Sequence, residues 1–237
     1  MKTIGLIGGL SWESTSEYYR IINEGVKEAL GGLHSAKCLV YSFNFEEIVQ
    51  LQKAEAWELA TKEMVHAAIT LECAGADFIL ICTNTMHKMA DEVQKSISVP
   101  LLHIVDATAV ETKKMGIKTV ALLGTKYTME QSFFKNRFLE NHNINIITPN
   151  EEDREIIHNV IFNELCQGEI LQESRNKYLD IIRRLEEQGA QGIILGCTEI
   201  PLLLKQEDVN LPLFDTTSIH AKVAVKMALV DHSVIMD

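Results

Sequence analysis

Two stretches of this sequence match each other: GADFILICTNT, from Gly75 to Thr85, and GAQGIILGCTE, from Gly189 to Glu199. Each is a short apolar run that breaks into small polar residues, and the offset between them is about 114 residues. KTIGLIGGLSWES, from Lys2, matches KTVALLGTKYTME, from Lys118, at an offset of about 116. A third pair, VPLLHIVDAT and LPLFDTT, has a looser offset. The near-constant offsets indicate that a whole domain is duplicated, because the period is too long for a solenoid repeat.

Apolar runs alternate with amphipathic stretches along the whole chain. The runs are TIGLIG, CLVYSF, DFILIC, VPLLHI, KTVALLG, NINII, GIILG and LPLFD. Strands that are apolar at every position are buried on both faces, and their alternation with helices is typical of parallel sheets. The sequence therefore predicts an α/β protein with two similar parallel-sheet domains. Helices are predicted at about 13–30, 54–74 and 216–230, the last packing back onto the first domain.

Composition and charge exclude several classes of function. The 237 residues carry a formal net charge of −11 and are 46% hydrophobic, and no Lys/Arg run is dense enough to follow a phosphate backbone. Nucleic acid and anionic membrane surfaces are therefore not expected as partners. No apolar run reaches the roughly 18 residues that cross a bilayer. The N-terminus lacks the features of a signal peptide, so we expect a cytoplasmic protein.

Cysteine and histidine usage argues against a disulfide scaffold and against a metal site. The five cysteines are odd in number, scattered and without CxxC spacing, and the histidines lack HExxH or comparable ligand spacing. We expect no metal and no cofactor. Cys38, Cys73 and Cys166 lie in strand or helix patterns and are expected to be buried thiols.

The candidate ligand site lies at the ends of the two matching strands. In parallel sheets, ligands bind beyond the carboxyl ends of the strands. Thr83, Asn84 and Thr85 occupy that place in one stretch, and Cys197, Thr198 and Glu199 occupy it in the other. Their hydroxyl and amide groups, with the N–H groups of a helix start, suit an anion such as a carboxylate. Simple helix capping is the alternative.

Cys197 is the candidate acid/base. Nearby helix N-termini and hydroxyl donors could lower its pKa from the usual value of about 8.5, which would give a reactive thiolate. The alternative is a buried structural cysteine. When the two matching stretches are aligned, Thr83 lies opposite Cys197 and Cys82 is displaced by one residue. Because strand side chains alternate between faces, the Cys82 side chain should point away from the position of Thr83, into the core.

The loops after the first strand of each half are the other candidates for substrate contacts. GGLSWEST has two glycines for close backbone approach and then Ser11, and GTKYTMEQ offers Lys126, Tyr127 and Thr128 at the equivalent place. Neither loop is a full GxGxxG and no Walker lysine follows, so a dinucleotide site is not supported.

The combination of TNTMHK, GCTEIPLL, GGLSWEST and FDTTSIHA resembles the aspartate/glutamate racemase family, closest to its aspartate racemase branch. The resemblance covers nearly the whole chain. It implies two flavodoxin-like domains related by a pseudo-two-fold axis, with the active site in the interdomain cleft, assembled as a homodimer. The boundaries we predict are 1–104 plus 210–237 for the first domain and 105–209 for the second.

The resemblance also implies a mechanism without metal or pyridoxal phosphate. Two thiols act on opposite faces of the amino acid, and Asn84, Thr85 and Thr198 match the positions that hold its α-carboxylate. Cys197 matches the second thiol, whereas Thr83 stands where the family has its first. The expected activity is therefore one-sided racemisation of aspartate or glutamate, with a preference for L-substrates.

The substrate side chain and two other functions remain open at this point. Lys126 could pair with a side-chain carboxylate, and Arg154 or His158 are alternatives for that role. A single-thiol decarboxylase or isomerase of the same superfamily would also need only Cys197. A non-catalytic amino-acid-binding protein would need neither Cys197 nor Thr83 as an acid/base.

Overall fold

The computed structural model describes residues 1–230, so residues 231–237 of the predicted first domain lie outside the described part of the chain. The strands are β1 (Ile4–Gly8), β2 (Cys38–Ser42), β3 (Phe78–Ile81), β4 (Leu101–Leu102), β5 (Thr119–Gly124), β6 (Asn145–Ile147), β7 (Ile193–Gly196) and β8 (Leu213–Asp215). The helices are α1 (Trp12–Leu30), α2 (Phe45–Lys53), α3 (Trp57–Cys73), α4 (Ala90–Lys95), α5 (Ile104–Lys114), α6 (Lys126–Glu130), α7 (Ser132–His142), α8 (Glu151–Asn163), α9 (Gln172–Glu187), α10 (Ile200–Leu203) and α11 (Thr216–Leu229).

The first sheet is parallel, with strand order β2-β1-β3-β4. Its central strands β1 and β3 are fully buried. Alternate residues of β3 enter different cores: Ile79 and Ile81 pack with α3 and α4, whereas Phe78 and Leu80 pack with α1 and α11. This arrangement explains why these strands are apolar at every position.

The second sheet repeats the first, with order β6-β5-β7-β8 and parallel pairing throughout. β4 and β8 occupy equivalent edge positions, which accounts for the third and loosest sequence match. At the end of the sheet Gly124 pairs with Gly196. The predicted α/β fold, with two similar parallel-sheet halves, is confirmed.

The chain divides into two compact units, Met1–Ile104 with the segment from His220 onward, and Val105–Ile219. The return to the first unit lies later than the sequence-based boundary at residue 210, because β8 pairs with β7 and so belongs to the second sheet. The expected packing of the last helix is confirmed: Ala221, Ala224, Val225 and Ala228 of α11 lie in the core that contains Tyr18 and Ile22. No helix within residues 1–230 combines the length and apolarity needed to cross a membrane.

The helix predicted over 54–74 is wrong at its start. The structure has α2 ending at Lys53 and α3 beginning at Trp57, with Glu55 between them in a left-handed conformation (φ 53°). A residue with positive φ cannot continue a right-handed helix. The break carries no Gly or Pro, so the sequence offered no signal for it.

Two of the thiols expected to be buried are exposed. Cys73 is the last residue of α3, and Cys166 lies in a short 3-10 turn, Leu165–Gln167. Helix ends and turns lie at the surface more often than helix interiors, and the apolar pattern does not resolve this. Cys38 is half-buried, and burial raises the pKa of its thiol to about 11.

Candidate active site

The end of β3 presents Thr83 and places Cys82 in the core. The N–H of Cys82 still donates to the carbonyl oxygen of Ile7 across 2.9 Å, so the ladder with β1 continues to this residue. The Cys82 side chain is completely buried on the face shared with Phe78 and Leu80. Thr83 follows and is half-buried. The register prediction for Cys82 is confirmed, and burial raises the pKa of its thiol well above the ordinary value.

The residues after Thr83 turn directly into a helix. Asn84 is buried and precedes the 3-10 turn Thr85–Met89, in which Thr85 is half-buried. The side chain of Gln52, at the end of α2, donates to the Met86 sulfur across 3.2 Å. This places an amide from α2 beside the turn.

His87 fixes the backbone of this strand end. Its Nε2 accepts a hydrogen bond from the N–H of Ile104 at 3.2 Å, so the ring proton sits on Nδ1. Nδ1 therefore donates to the carbonyl oxygen of Thr83, at 2.7 Å. The ring is buried, with the rings of His103 and His220 at centroid distances of 4.6 and 5.7 Å.

The glycine-rich loop after β1 lies against the end of β3. The hydroxyl of Ser14 donates to the carbonyl oxygen of Cys82 at 2.8 Å. Ser11 caps α1 by accepting from the N–H of Ser14, and its hydroxyl donates to Glu13. Ser11 has a φ of 91°, a strained value for a residue with a side chain. A Cβ at Gly9 would collide with the backbone of Phe43, which explains the glycine.

The end of β7 presents Cys197, Thr198 and Glu199, all half-buried. The thiol of Cys197 donates to Oε2 of Glu199, with 2.9 Å between the sulfur and the oxygen. The Thr198 hydroxyl donates to the same oxygen at 2.7 Å. One carboxylate oxygen thus joins both neighbouring side chains.

The Cys197 thiol is held in its protonated form in this arrangement. Burial is the main cause that raises its pKa well above the ordinary value, and the charge of Glu199 and its hydrogen bond add to this. The expectation of a lowered pKa at Cys197 is therefore wrong. The physical reason is that burial disfavours the thiolate and that the neighbouring charged group, Glu199, is an anion, whereas the sequence suggested only helix N-termini and hydroxyl donors.

The second-unit loop packs directly against this strand end. Thr125 caps α6 by accepting from the N–H of Thr128, and the two hydroxyl oxygens lie 3.2 Å apart. Thr128 is completely buried. A Cβ added at Gly196 would lie 2.9 Å from the Leu122 side chain, and one added at Gly124 would lie 3.1 Å from the Gly196 carbonyl oxygen, so crowding within the sheet explains both glycines. Tyr127 is half-buried.

The three basic residues considered for a substrate carboxylate are already engaged. The Lys126 ammonium donates to Glu155 at 3.1 Å, and Arg154 donates to Glu130 and to the Pro149 carbonyl oxygen. Nδ1 of His158 accepts from the backbone N–H of Lys126, and burial lowers the pKa of its ring. Lys126 is the most exposed of these cations, with a side chain 42% exposed.

The sequence pattern of the Asp/Glu/hydantoin racemase family matches residues 7–224. The chain belongs to this family. It is therefore an isomerase of the racemase type.

Individual racemases and related proteins resemble it over most of their length. A Yersinia pestis protein, described as a candidate Asp/Glu racemase, has a crystal structure that is 54% identical, with a TM-score of 0.93 over 97% of this chain and 100% of that one. An aspartate racemase homologue from Pyrococcus horikoshii OT3 is 38% identical, with a TM-score of 0.85 over 96% and 99%. The broad-specificity amino-acid racemase RacX of Bacillus subtilis is 27% identical over 71% of this chain and 72% of its own length.

The sequence of this racemase indicates the two strand ends but not the side chains that interact with Cys197. Glu199 stands out in the sequence only as a polar residue after β7, and its bond to the Cys197 thiol is seen only in the structure. Tyr178 of α9 carries no such sequence signal, although it is buried and interacts electrostatically with Cys197. Its hydroxyl donates to the Ile157 carbonyl oxygen at 3.1 Å. These contacts join segments distant in the sequence or depend on side-chain rotamers, and no local pattern signals them.

Proposed function

We propose that the protein is a racemase of aspartate and glutamate that works without pyridoxal phosphate and uses Cys197 as its principal acid/base. The observation that carries this proposal is the asymmetry of the two strand ends. The end of β7 presents a half-buried thiol, whereas the end of β3 presents the hydroxyl of Thr83 and buries the thiol of Cys82.

Thr83 makes the expected activity one-sided. An alcohol is a much poorer acid or base than a thiol near neutral pH, whose ordinary pKa is about 8.5. By resemblance to the related glutamate racemases, Cys197 would act on L-enantiomers. We therefore expect rapid exchange of the α-proton of L-substrates and slow conversion to the D-form, with Thr83 donating a proton weakly, directly or through water.

The α-carboxylate is proposed to be bound by Asn84, Thr85 and Thr198, with Ser11 nearby in the chain's first glycine-rich loop. The α-proton of an amino acid is very weakly acidic, so donors at the carboxylate must stabilise the carbanionic transition state. The Thr198 hydroxyl already donates to Glu199, and binding of a substrate carboxylate would compete for that donor.

The side-chain carboxylate of the substrate is proposed to be bound by Lys126, with Tyr127 and Thr128 shaping the same loop. The exposure of the Lys126 ammonium and its single ion pair with Glu155 support this role, because an exposed pair is weak and easily exchanged. Arg154 is less suitable, since it is held by both Glu130 and Pro149.

A homodimer and a cytoplasmic location are proposed from the family resemblance. A catalytic thiol needs a reducing compartment, which agrees with that location. Sedimentation of the purified protein would decide the oligomeric state.

The activity is tested by incubating the protein separately with each enantiomer of aspartate and glutamate and following both enantiomers by chiral chromatography. Slow formation of D-product that is absent in Cys197→Ser supports the proposal. A single-thiol decarboxylase would instead release carbon dioxide from a substrate with two carboxylates on one carbon. A binding protein would raise its melting temperature with aspartate and form no product.

A further inference from the structure

The resting state of Cys197 raises a problem for a racemase. A protonated thiol cannot remove an α-proton, yet burial and the Glu199 charge hold the Cys197 thiol in that form by raising its pKa. The thiol must therefore transfer its proton to another group before it can act as a base.

The hydrogen bond from the thiol identifies the group that accepts this proton. The Cys197 sulfur lies 2.9 Å from Oε2 of Glu199, within range for direct transfer. The Thr198 hydroxyl donates to the same oxygen at 2.7 Å and orients the carboxylate. Glu199 is half-buried, so its carboxyl group can also exchange protons with water.

The other titratable groups near Cys197 are unsuitable as acceptors. The Tyr178 hydroxyl donates to the carbonyl oxygen of Ile157, and burial keeps its pKa well above the ordinary range, so this side chain stays neutral. The charge of Glu164 also raises the pKa of Tyr178 and so favours its neutral form. Cys166 acts electrostatically on Cys197 in the direction that opposes thiolate formation.

We propose that Glu199 is a positioning residue that accepts the Cys197 thiol proton during turnover and exchanges it with solvent. The inference rests on the proposed racemase function. In the first step the S–H bond breaks and an O–H bond forms on Glu199, so the pair keeps one proton and one negative charge. The thiolate then takes the α-proton of the L-amino acid, and the C–H electron pair stays on the substrate as a carbanion.

The cycle closes through the same pair. Reprotonation from Cys197 restores the L-form and leaves a thiolate, which recovers a proton from Glu199. If the proton instead reaches the other face of the carbanion from solvent, the D-form results, and the neutral carboxyl of Glu199 loses its proton to water. While the carbanion persists, the Cys197 thiol and the neutral Glu199 carboxyl exchange their protons, and the carboxyl exchanges with solvent, so deuterium from heavy water reaches the thiol and then the substrate.

The test is Glu199→Gln, with Glu207→Gln as the matched control, since Glu207 is an exposed carboxylate in the same unit. Two rates are measured across a pH series: deuterium incorporation into L-aspartate, and alkylation of Cys197 by iodoacetamide without substrate, followed by mass spectrometry of its peptide. Circular dichroism and the melting temperature report folding.

The proposal predicts opposite changes in the two rates. Removing the Glu199 charge should shift Cys197 alkylation to lower pH and make it faster at pH 7, while the kcat for exchange falls by about 100-fold with little change in KM. Glu207→Gln should alter neither. Exchange that stays at the parent rate, or that rises in parallel with alkylation, overturns the proposal, because the thiolate alone would then suffice.

Failure of the racemase function would look different. In that case the parent protein would exchange no enantiomer of aspartate or glutamate. Alkylation of Cys197 needs no substrate, so a pH midpoint that does not move in Glu199→Gln overturns the coupling in either case, and a lowered midpoint supports it.

Discussion

The Nδ1 nitrogen of His87 donates a hydrogen bond to the carbonyl oxygen of Thr83 across 2.7 Å. The other ring nitrogen accepts from the N–H of Ile104, so one buried, neutral imidazole joins the end of β3 to the start of α5. This bond positions the backbone of Thr83, the proposed second acid/base, although His87 itself is not proposed to touch the substrate.

Replacing His87 by alanine should destabilise the protein by about 2–4 kcal/mol, because two backbone groups lose their partner and a cavity forms. The free energy of unfolding in urea measures this. His34→Ala is the control, since His34 is exposed. A loss no larger than that of the control would show that the His87 contacts contribute little.

Burial of His220 predicts a sensitivity to acid. Its Nε2 donates to the Leu102 carbonyl oxygen, its Nδ1 accepts from the Tyr18 hydroxyl, and burial lowers its pKa from 6.5 to about 4. The unfolded chain therefore binds a proton at a pH where the folded protein does not. Stability from this group is complete above pH 6.5 and declines as the pH falls towards 4.

The expected loss between pH 7.5 and pH 5 is about 2 kcal/mol. It is measured as the difference between the unfolding free energies of the parent and of His220→Asn, which cannot titrate. Carboxylates such as Asp106, whose pKa is lowered by Arg137 and His142, affect both proteins alike and mainly at lower pH. A difference that stays constant with pH would contradict the assignment.

Cys82 should be dispensable for activity. Because its side chain is completely buried, Cys82→Ala should reduce stability by about 1 kcal/mol and leave α-proton exchange at the parent rate. Cys197→Ser should abolish exchange while the protein stays folded. Loss of exchange in a folded Cys82→Ala variant would mean that this thiol, rather than Thr83, reaches the substrate.

Thr83→Cys should restore racemisation in both directions, because it supplies a second thiol. We expect exchange and inversion of D-aspartate to rise by about 100-fold, since a thiol replaces an alcohol as acid/base. Thr83→Ser is the matched control, because it keeps the hydroxyl. If Thr83→Cys folds, binds substrate and remains as one-sided as the parent, a missing second thiol is not the cause of the asymmetry.

Lys126→Met should raise the KM for L-aspartate by about tenfold, which corresponds to one weak ion pair of about 1.4 kcal/mol. The control is Lys177→Met, which removes another lysine that pairs with an exposed glutamate, Glu173. Initial-rate kinetics separate KM from kcat. Equal KM values in both variants would mean that another group binds the substrate side chain.

Much of the fold was predictable because its signals are local and repeated. The eight apolar runs became eight strands, and the duplication agrees with the shared strand order of the two sheets. The break at Glu55 was not predictable, since its positive φ is imposed without a Gly or Pro. The site was predictable in position but not in electrostatics. Alternation placed Cys82 in the core, whereas the raised pKa of Cys197 comes from its burial in the folded chain and from a bond to Glu199 that depends on the Glu199 rotamer.

The asymmetry between Cys197 and Thr83 is tested most directly by the α-proton exchange of each enantiomer in heavy water. Purified protein is incubated with L- or D-aspartate, and loss of the α-proton signal is followed by NMR while chiral chromatography records inversion. The account predicts fast exchange of the L-form, little D-product and very slow exchange of the D-form. Equally fast exchange and inversion from both enantiomers would contradict it, because a competent second acid/base would then act beside Cys197.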